Sequence, residues 1–404
     1  MFRMAFRNLG RNRRRTLFSM LAVALGTALV LFLAAFVEGE IRGALDLTIL
    51  LETGDIQVRA ATYDEDKFSL AWEDLVEEPE QVAAQLEDLP QVRVATPRLR
   101  ANGILSARDQ TAGVTVLGID PTSEASLPFA HGIVDGMFLT ADDREGLLVG
   151  QPLAESLGVG VGDRVNLLVN TANGDVDEQT FVVRGIFSTH TPGYDKSTIL
   201  LPLAKAQTFT RTEGHASLIF ILLNDRQQAD ALAAAIQDPR YEVLTWRDLN
   251  ELLIQTESLA NAYMVVYYLI VIAITASVIT NTLVMAVFER TREIGILAAL
   301  GMMGRQILSL FMLEATLMAV GSVATGLLLG GASAAYFGVH GIPIGDIGAQ
   351  MSGLLFGDAI YPYLTLDDTL TVSLIALGVT LLAALYPAIL ATRLEPVEAL
   401  HAQR

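Results

Sequence analysis

Long apolar runs dominate the pattern of the chain, and they are unevenly spaced. A helix needs about 20 mainly apolar residues to cross the hydrocarbon core of a bilayer, and four stretches meet that requirement. A long region of mixed polarity separates the first stretch from the second, whereas the other three follow one another closely. The pattern therefore predicts four transmembrane helices in a one-plus-three arrangement. They are expected at 17–37, 263–288, 307–337 and 370–392.

The first apolar run also has a feature of secretory signal peptides, because Arg13, Arg14 and Arg15 precede it. Signal peptides have an apolar region of about 7–15 residues and a small-residue cleavage site. The run at 17–37 is longer and has no clear cleavage site. We therefore expect a helix that is retained in the membrane.

The region 38–262 shows two kinds of pattern. Runs of β-branched or alternating residues bounded by turn residues predict strands. These runs lie at 55–59, 113–119, 164–169, 180–186 and 218–223. Helical periodicity is present at 80–89, 151–157, 203–208 and 226–236. We expect an α+β domain with two subdomains, inserted between the first two membrane helices. The flanking segments 38–51 and 249–261 are predicted to be helical stalks.

Composition agrees with a membrane protein that carries a large water-facing domain. Of the 404 residues, 52% are apolar and 18% are charged, compared with about 45–50% and about 25% in soluble proteins. The formal net charge is −18, and residues 38–262 alone account for −20. The apolar content excludes an intrinsically disordered chain, and the acidity argues against a nucleic-acid partner. Cysteine is absent, which excludes disulfides and thiolate metal sites.

Basic residues near the membrane helices predict the orientation, because short loops rich in Lys and Arg stay in the cytoplasm. Residues 1–16 have six arginines and no acid, which predicts a cytoplasmic basic entry helix. The connection 289–306 has three arginines and is also expected inside, whereas 338–369 has four aspartates, including Asp346, and no Lys or Arg. The tail 393–404 begins and ends with arginine. We therefore expect both termini in the cytoplasm and the large domain outside.

Catalytic and metal-binding patterns are scarce. The five histidines form no HExxH or comparable spacing, and no GxSxG motif occurs. The glycine-rich run 158–162 precedes a predicted strand, so we interpret it as a turn and not as a dinucleotide loop. None of the three lysines, Lys67, Lys196 and Lys205, follows a glycine, which excludes a P-loop. We expect no enzyme activity in the chain itself.

The most informative segment is the polar loop 289–301, with the sequence ERTREIGILAALG. Its periodicity predicts a short helix with opposite charges spaced i,i+3 and an apolar strip, followed by a glycine where the chain turns back. The charged residues are Glu289, Arg290, Arg292 and Glu293, the strip is Ile294, Leu297 and Leu300, and the glycine is Gly301. The pattern alone fits either an ordinary amphipathic connector or a surface that binds a partner.

Polar residues are rare inside the predicted membrane helices. Glu314 is the one clear acid, near the cytoplasmic end of the third helix, where it can reach the interface or pair with an arginine. Asn281 and Thr282 can form hydrogen bonds across helices, and Gly326 and Gly330 allow close helix contact. We expect structural or coupling roles for these residues, because a channel for polar solutes would need more intramembrane polar groups.

The loop ERTREIGILAALG closely resembles the hallmark loop of permease subunits in the MacB, FtsX and LolC/LolE family of ABC transporters. The N-terminal run 5–15 and the closing run 386–400 are similar to segments of the same family, as is the run 197–207 in the external domain. Glu314 also lies where that family often carries an acid. The resemblance covers the whole chain and is strongest in the membrane parts.

The resemblance implies a pair of permease subunits, identical or paralogous, in the bacterial inner membrane. Two copies of a separate cytoplasmic ATPase would bind ATP and Mg²⁺, so that this chain would hold no cofactor. The loop 289–301 would be the coupling helix that contacts the ATPase. The external domain would be a MacB-like periplasmic core, moved by ATP-driven mechanotransmission rather than lining a pore.

Lipoprotein release from the inner membrane, as in the LolC/LolE branch, is the function that we expect. One alternative is export of amphipathic peptides or antibiotics with a periplasmic adaptor protein. Another is FtsX-like signalling across the membrane to a cell-wall hydrolase, and a membrane-anchored enzyme is disfavoured because no catalytic constellation is present. Membrane lipid and a lipoprotein or other amphipathic substrate are the further partners that the resemblance implies.

Overall fold

The computed structural model of the chain describes residues 2–9, 13–64, 68–236, 238–344 and 355–393. The tail 394–404, Asp346 and Lys67 lie outside the described residues. The chain divides into two compact units. The first contains residues up to 40, 256–342 and those from 360 onwards, and the second contains 41–255 and 343–359.

Helices are the main elements of the first unit and also flank the sheet of the second. In chain order they are α1 (Phe2–Leu9), α2 (Arg13–Thr48), α3 (Pro79–Glu87), α4 (Leu127–His131), α5 (Gln151–Leu157), α6 (Pro192–Ser197), α7 (Leu203–Thr210), α8 (Ala229–Ala235), α9 (Trp246–Leu249), α10 (Glu251–Glu289), α11 (Thr291–Ala299), α12 (Gly304–His340) and α13 (Leu366–Thr392).

Four of these helices, α2, α10, α12 and α13, are long and apolar enough to cross a membrane. Their most apolar windows have mean hydropathies between 1.9 and 2.6, and each window also has apolar residues on its exposed surface, as in helices that contact lipid. The four predicted transmembrane helices and their one-plus-three arrangement are confirmed.

Both predicted stalks are helical. After α2 the chain makes one π-helical turn, Ile49–Thr53, so that helical backbone covers the segment 38–51. The segment 249–261 is interrupted at Asn250, between α9 and α10, where the side-chain amide donates to the carbonyl oxygen of Trp246 at 2.7 Å. Thr245 and Asp248 form a capping box at the start of α9, which stabilises this short helix.

The second unit is built around one sheet of ten strands. Its strands are β1 (Ile56–Ala60), β3 (Val92–Ala107), β4 (Gln110–Ile119), β5 (Ile133–Gly136), β6 (Gly146–Gly150), β7 (Arg164–Asn170), β8 (Val176–Phe187), β9 (Thr198–Pro202), β11 (Leu218–Leu223) and β12 (Tyr241–Thr245). The order is β12-β1-β11-β3-β4-β9-β6-β8-β5, and β7 pairs with both β3 and β8. The short strands β2 (Val76–Glu77) and β10 (His215–Ala216) pair with each other, as do β13 (Ile342–Pro343) and β14 (Ala359–Ile360). The predicted α+β class is confirmed.

Strand β3 connects the two halves of the sheet. Its first residues pair with β11, and residues from Leu99 onwards pair with β4, with β7 along 103–106. Two separate apolar cores lie on these halves, one around Ile56 and Ile221 and the other around Leu105 and Phe181. The expected pair of subdomains therefore shares a continuous sheet and is not divided into independent domains.

The glycine-rich run 158–162 is a turn, as predicted. Gly158 ends α5 with φ +63°, and Gly162 has φ +90° just before β7 begins at Arg164. Both glycines adopt a left-handed conformation that side chains with a Cβ disfavour. No helix follows the run, so it lacks the helix N-terminus that a dinucleotide phosphate would need.

The connection between α12 and α13 contributes residues to the second unit, which its sequence pattern does not show. Asp358 donates its backbone N–H to the carbonyl oxygen of His190 at 2.7 Å, and its carboxylate lies 3.0 Å from the Nδ1 atom of that histidine. Phe356 is buried in a cluster with Ala44 and Leu253, one from each stalk. This connection is therefore packed against the stalk ends of the second unit.

Candidate functional site

The polar loop between α10 and α12 forms a short helix, but it begins later than predicted. Arg290 leaves the helical conformation, with φ −110° and ψ 12°, and α11 then starts at Thr291. The predicted helix over 289–301 is therefore two elements separated by Arg290. Gly301 has φ +95°, a left-handed conformation that fits its predicted role in the turn before α12.

Arg290 is turned inward, which explains the break before α11. Its Nη1 atom donates to both carboxylate oxygens of Glu314, at 3.1 and 3.3 Å. The side chains of Arg290 and Glu314 are only 9% and 4% exposed. A buried charge needs a partner of opposite sign, so Glu314 holds Arg290 against α12. Of the two roles considered for Glu314, the structure shows pairing with an arginine.

The residues of the predicted apolar strip of the loop differ in burial. Ile294 is buried against Val287, Ile307 and Phe311 of the helices α10 and α12. Leu297 is half-buried, whereas Leu300 is 80% exposed. The strip therefore is not one surface for a partner, because its first residue belongs to the core of the first unit.

The exposed side of the loop combines charge with large apolar side chains. Glu289, Arg292 and Glu293 are exposed, as the pattern predicts. Two further apolar residues, Ile296 and Met303, are also exposed. The sequence pattern did not indicate them, because they lie outside the predicted apolar strip with its i,i+3 spacing. We call Arg292, Glu293, Ile296, Leu300 and Met303 the α11 surface. Exposed large apolar side chains close to charged ones are typical of a protein interaction surface.

The small residues of α12 bring it close to α2 within the first unit. A Cβ atom added to Gly326 would lie 2.7 Å from the carbonyl oxygen of Ala24, and one added to Gly330 would lie 2.9 Å from that of Ala28. Real Cβ atoms do not approach so closely. The two glycines therefore permit a contact between helix backbones that no larger residue would allow.

The two polar residues of α10 have different surroundings. The hydroxyl of Thr282 lies 2.7 Å from that of Ser19 in α2, which is the predicted type of cross-helix hydrogen bond. Asn281 is exposed on the outside of the first unit. The window of α10 that is apolar enough to cross a membrane is only 17% buried, so this helix has much surface left for other contacts.

In the second unit, a buried arginine ties the π-helical turn to the sheet. Arg98 of β3 is 1% exposed and lies 3.5 Å from the ring centroid of Phe220. Its guanidinium donates to the carbonyl oxygens of Leu51 and Ala125, at 2.6 and 3.3 Å. Burial lowers the pKa of Arg98 to about 9 and raises that of the neighbouring Tyr194. The end of the first stalk is thus held by hydrogen bonds that the sequence pattern did not reveal.

Within the residues that the structure describes, no group of three or more His, Asp and Glu side chains is placed to hold a metal ion.

These features define a polytopic membrane protein with one helix before and three after a large α+β domain, and with an exposed amphipathic loop between the second and third membrane helices. Residues 16–238 match the family model described as MacB-like periplasmic core domain. Residues 265–396 match the model described as FtsX-like permease C-terminal. The chain belongs to the MacB/FtsX/LolC family of ABC transporter permeases, as its loop sequence suggests.

Relatives align along nearly the full chain. It is 27% identical to the lipoprotein-releasing system transmembrane protein LolC of Neisseria meningitidis serogroup B, over 95% of this chain and 93% of the relative. It is 25% identical to LolE of Haemophilus influenzae, again over 95% and 93%. The macrolide export ATP-binding/permease protein MacB of Rhodospirillum rubrum is 29% identical over 88% of this chain, which covers 57% of that relative.

Proposed function

We propose that this chain is the permease subunit of an ATP-driven system that releases lipoproteins from the outer leaflet of the bacterial inner membrane. The observation that carries the proposal is the full-length similarity to LolC and LolE, both named as lipoprotein-releasing system transmembrane proteins. Neither matched family model is that of an ATPase domain. We infer that a cytoplasmic ATPase partner with bound ATP and Mg²⁺ supplies the energy, because LolC and LolE are named as the transmembrane proteins of a releasing system.

The α11 surface is the contact for that ATPase. Leu300 and Met303 are 80% and 70% exposed, and large apolar side chains next to charges favour docking into a groove of a partner. Behind this surface, Ile294 and the Arg290–Glu314 pair fix α11 to the membrane helices. A displacement of α11 by the ATPase is therefore passed on to α12 rather than absorbed by a loose loop.

The basic residues at 1–16 and 289–306 support an orientation of the chain in the membrane with both termini and the α11 surface in the cytoplasm. The helices α2 and α10 continue past the length needed to span a bilayer, with 36 and 39 residues. We infer that they act as stalks through which ATP-driven movement reaches the external domain. Such mechanotransmission requires no polar pore.

A second permease subunit completes the assembly in this proposal. Asn281 exposes an amide side chain among the mainly apolar residues of the membrane-spanning part of α10, and such a side chain is stabilised when another helix covers it. We infer that the exposed side of α10 contacts the second subunit, identical or paralogous.

Export of an amphipathic compound together with an adaptor protein is a second candidate function. It is favoured by the similarity to a macrolide export protein over 88% of this chain. That relative is named as an ATP-binding and permease protein, and this chain has no P-loop lysine. Signalling to a cell-wall hydrolase has less support, because the FtsX-like match is confined to residues 265–396.

The docking role of the α11 surface is tested by two matched substitutions in the full chain. Leu300→Glu places a carboxylate on the α11 surface, and Leu366→Glu places one at a leucine of almost equal exposure, 81%, at the start of α13. Only the first is expected to reduce co-purification of the ATPase. Equal ATPase recovery with both variants would contradict the docking role.

The substrate is tested separately, with the unmodified complex reconstituted in liposomes. ATP-dependent transfer of a triacylated lipoprotein to a soluble acceptor supports lipoprotein release. Export of a macrolide or amphipathic peptide without lipoprotein transfer would instead establish the second function.

A further inference from the structure

A cleft opens in the second unit where strands β3 and β4 diverge. The two strands pair from Leu99 and Gly118 onwards along β3, and beyond Ile119 the chain turns away through residues 120–126. Residues 93–97 of β3 consequently have β11 on one side only. In the part of the chain that the structure describes, no second strand pairs with their other edge.

The chemistry of proline shows which backbone groups point into the cleft. Pro97 lies opposite Ile219 of β11, and a residue without an N–H cannot belong to a pair that exchanges two hydrogen bonds. The carbonyl oxygen of Pro97 is therefore directed at the open edge. Ala95, two residues earlier in the same register, has the same orientation. Its N–H and carbonyl groups are thus directed at the same edge.

The cleft has the size and shape for a short extended peptide. Its volume is about 500 Å³, within the range of about 300–1,000 Å³ that is usual for binding pockets. Its lining comprises residues of α3, the edge of β3 at 93–97, the turn at 120–124 and the start of α7.

The charge of the lining favours a basic occupant. Glu80 and Glu87 lie on α3, and Asp120 and Glu124 lie in the turn at 120–124. Arg93 is the only basic residue among the described residues of the lining, and its Nε atom is 3.2 Å from Glu124. Acidic side chains therefore outnumber basic ones four to one.

We propose that this cleft binds an extended basic segment of a partner polypeptide, which adds as a strand to the open edge of β3. Strand addition obtains affinity from main-chain hydrogen bonds and specificity from alternate side chains. Here the main-chain bonds form with Ala95 and Pro97, and lysine or arginine side chains contact the acidic residues of the lining. The site does not depend on the proposed release function.

Peptide binding to the full-length chain in detergent tests the site directly. The probe is a fluorescent peptide of about seven residues, with lysine at alternate positions and threonine or valine between them. We expect saturable binding by fluorescence anisotropy. Replacing the lysines by glutamates should weaken binding by at least about tenfold, because complementary charge is lost. Equal binding of the two peptides, or no binding of the lysine peptide, overturns the proposal.

Backbone methylation distinguishes strand addition from attraction by charge alone. Methyl groups on every second peptide nitrogen block one edge of the peptide, and methyl groups on the intervening nitrogens block the other. One series should lose at least about tenfold in affinity, as expected for one or two lost hydrogen bonds, while the other retains most of it. If lysine is required but neither series loses affinity, the acidic residues of the lining attract cations without strand addition, and the proposal is wrong.

Two neighbouring variants locate the site on the protein. Ala84 is exposed on α3 and lines the cleft, whereas Gln85 is exposed on the same helix and does not line it. Ala84→Trp should fill the cleft and reduce peptide affinity by about tenfold or more, and Gln85→Trp should not. Equal affinities of the two variants would show that the peptide binds elsewhere.

Discussion

The guanidinium of Arg290 and the carboxylate of Glu314 form an ion pair at 3.1 Å, which joins the residue that precedes α11 to the third turn of α12. Both side chains are buried. Desolvation makes such a pair a poor source of net stability, but removal of one partner leaves an uncompensated buried charge. The pair therefore fixes the position of α11 and makes that position sensitive to single substitutions.

A double-mutant cycle should show that the two residues act together. We expect Glu314→Ala or Arg290→Ala to lower the stability of the full chain by about 3 kcal/mol, because each leaves a buried charge unpaired. The double variant Arg290→Ala with Glu314→Ala should cost less than the sum of the two single losses, because it leaves neither charge unpaired. Thermal unfolding in detergent measures these changes, and strictly additive losses would contradict the coupling.

Ile294 and Leu300 should respond in opposite ways, although the sequence places them on one apolar strip. Ile294→Ala removes a side chain packed against Val287 and Phe311 and should cost about 2 kcal/mol. Leu300→Ala changes an exposed side chain and should alter stability by less than about 0.5 kcal/mol. The same thermal unfolding measurement checks both.

For the affinity of the chain for the proposed ATPase, the residue that matters more should be Leu300 and not Ile294. Leu300→Ala is expected to weaken ATPase co-purification, and Ile294→Ala should affect it only as far as the fold is lost. A Leu300→Ala chain that unfolds early but binds the ATPase normally would refute this assignment of the two residues.

Two glycines of α12 provide a matched test of close helix packing. Gly326→Ala would place a Cβ atom 2.7 Å from Ala24 O and from Thr27 Cβ, so the helices must separate at a cost of about 1–3 kcal/mol. A Cβ atom on Gly331 would meet nothing within 4 Å, and Gly331→Ala should stabilise the helix by up to about 1 kcal/mol. Unfolding measurements should therefore give changes of opposite sign, and a loss of equal size at both positions would argue against the close contact.

Local pattern was enough to predict some elements and not others. Strand β11 has the bounds that were predicted, because the run LIFILL at 218–223 is apolar, partly β-branched and bounded by turns. Strand β3 was not predicted, since Pro97 and Gly103 interrupt its pattern and burial on both faces removes the alternation. Its length is determined by pairing with strands that lie far away in the sequence.

In the candidate site, too, the local sequence pattern did not predict features that depend on distant residues. The charge and apolar content of 289–301 predicted a short exposed helix, but not that Arg290 would turn inward. That orientation depends on Glu314, 24 residues further along the chain. Likewise, Ile294 is buried only because α10 and α12 pack beside α11. Long-range packing, and not local periodicity, determines which half of an amphipathic helix is available to a partner.

Asn281 should lie against the second permease subunit in the assembled complex. It is eight residues before the end of α10 at Glu289, about 12 Å along the helix, so an uncovered amide at this depth would face hydrocarbon at an energetic cost. We expect a photoreactive amino acid at position 281 to form crosslinks to a permease chain in native membranes. Their mass distinguishes a second copy of this chain from a paralogue.

The matched control for this experiment is Leu382 of α13, which is 72% exposed and apolar. If the subunit contact is formed by the exposed side of α10 and not by α13, a photoreactive group at position 382 contacts lipid. It should then give lipid adducts and few protein crosslinks. Lipid adducts alone at 281, with protein crosslinks at 382, would place the second subunit on α13. In that case the polar side chain of Asn281 would have to be stabilised by another partner in the membrane.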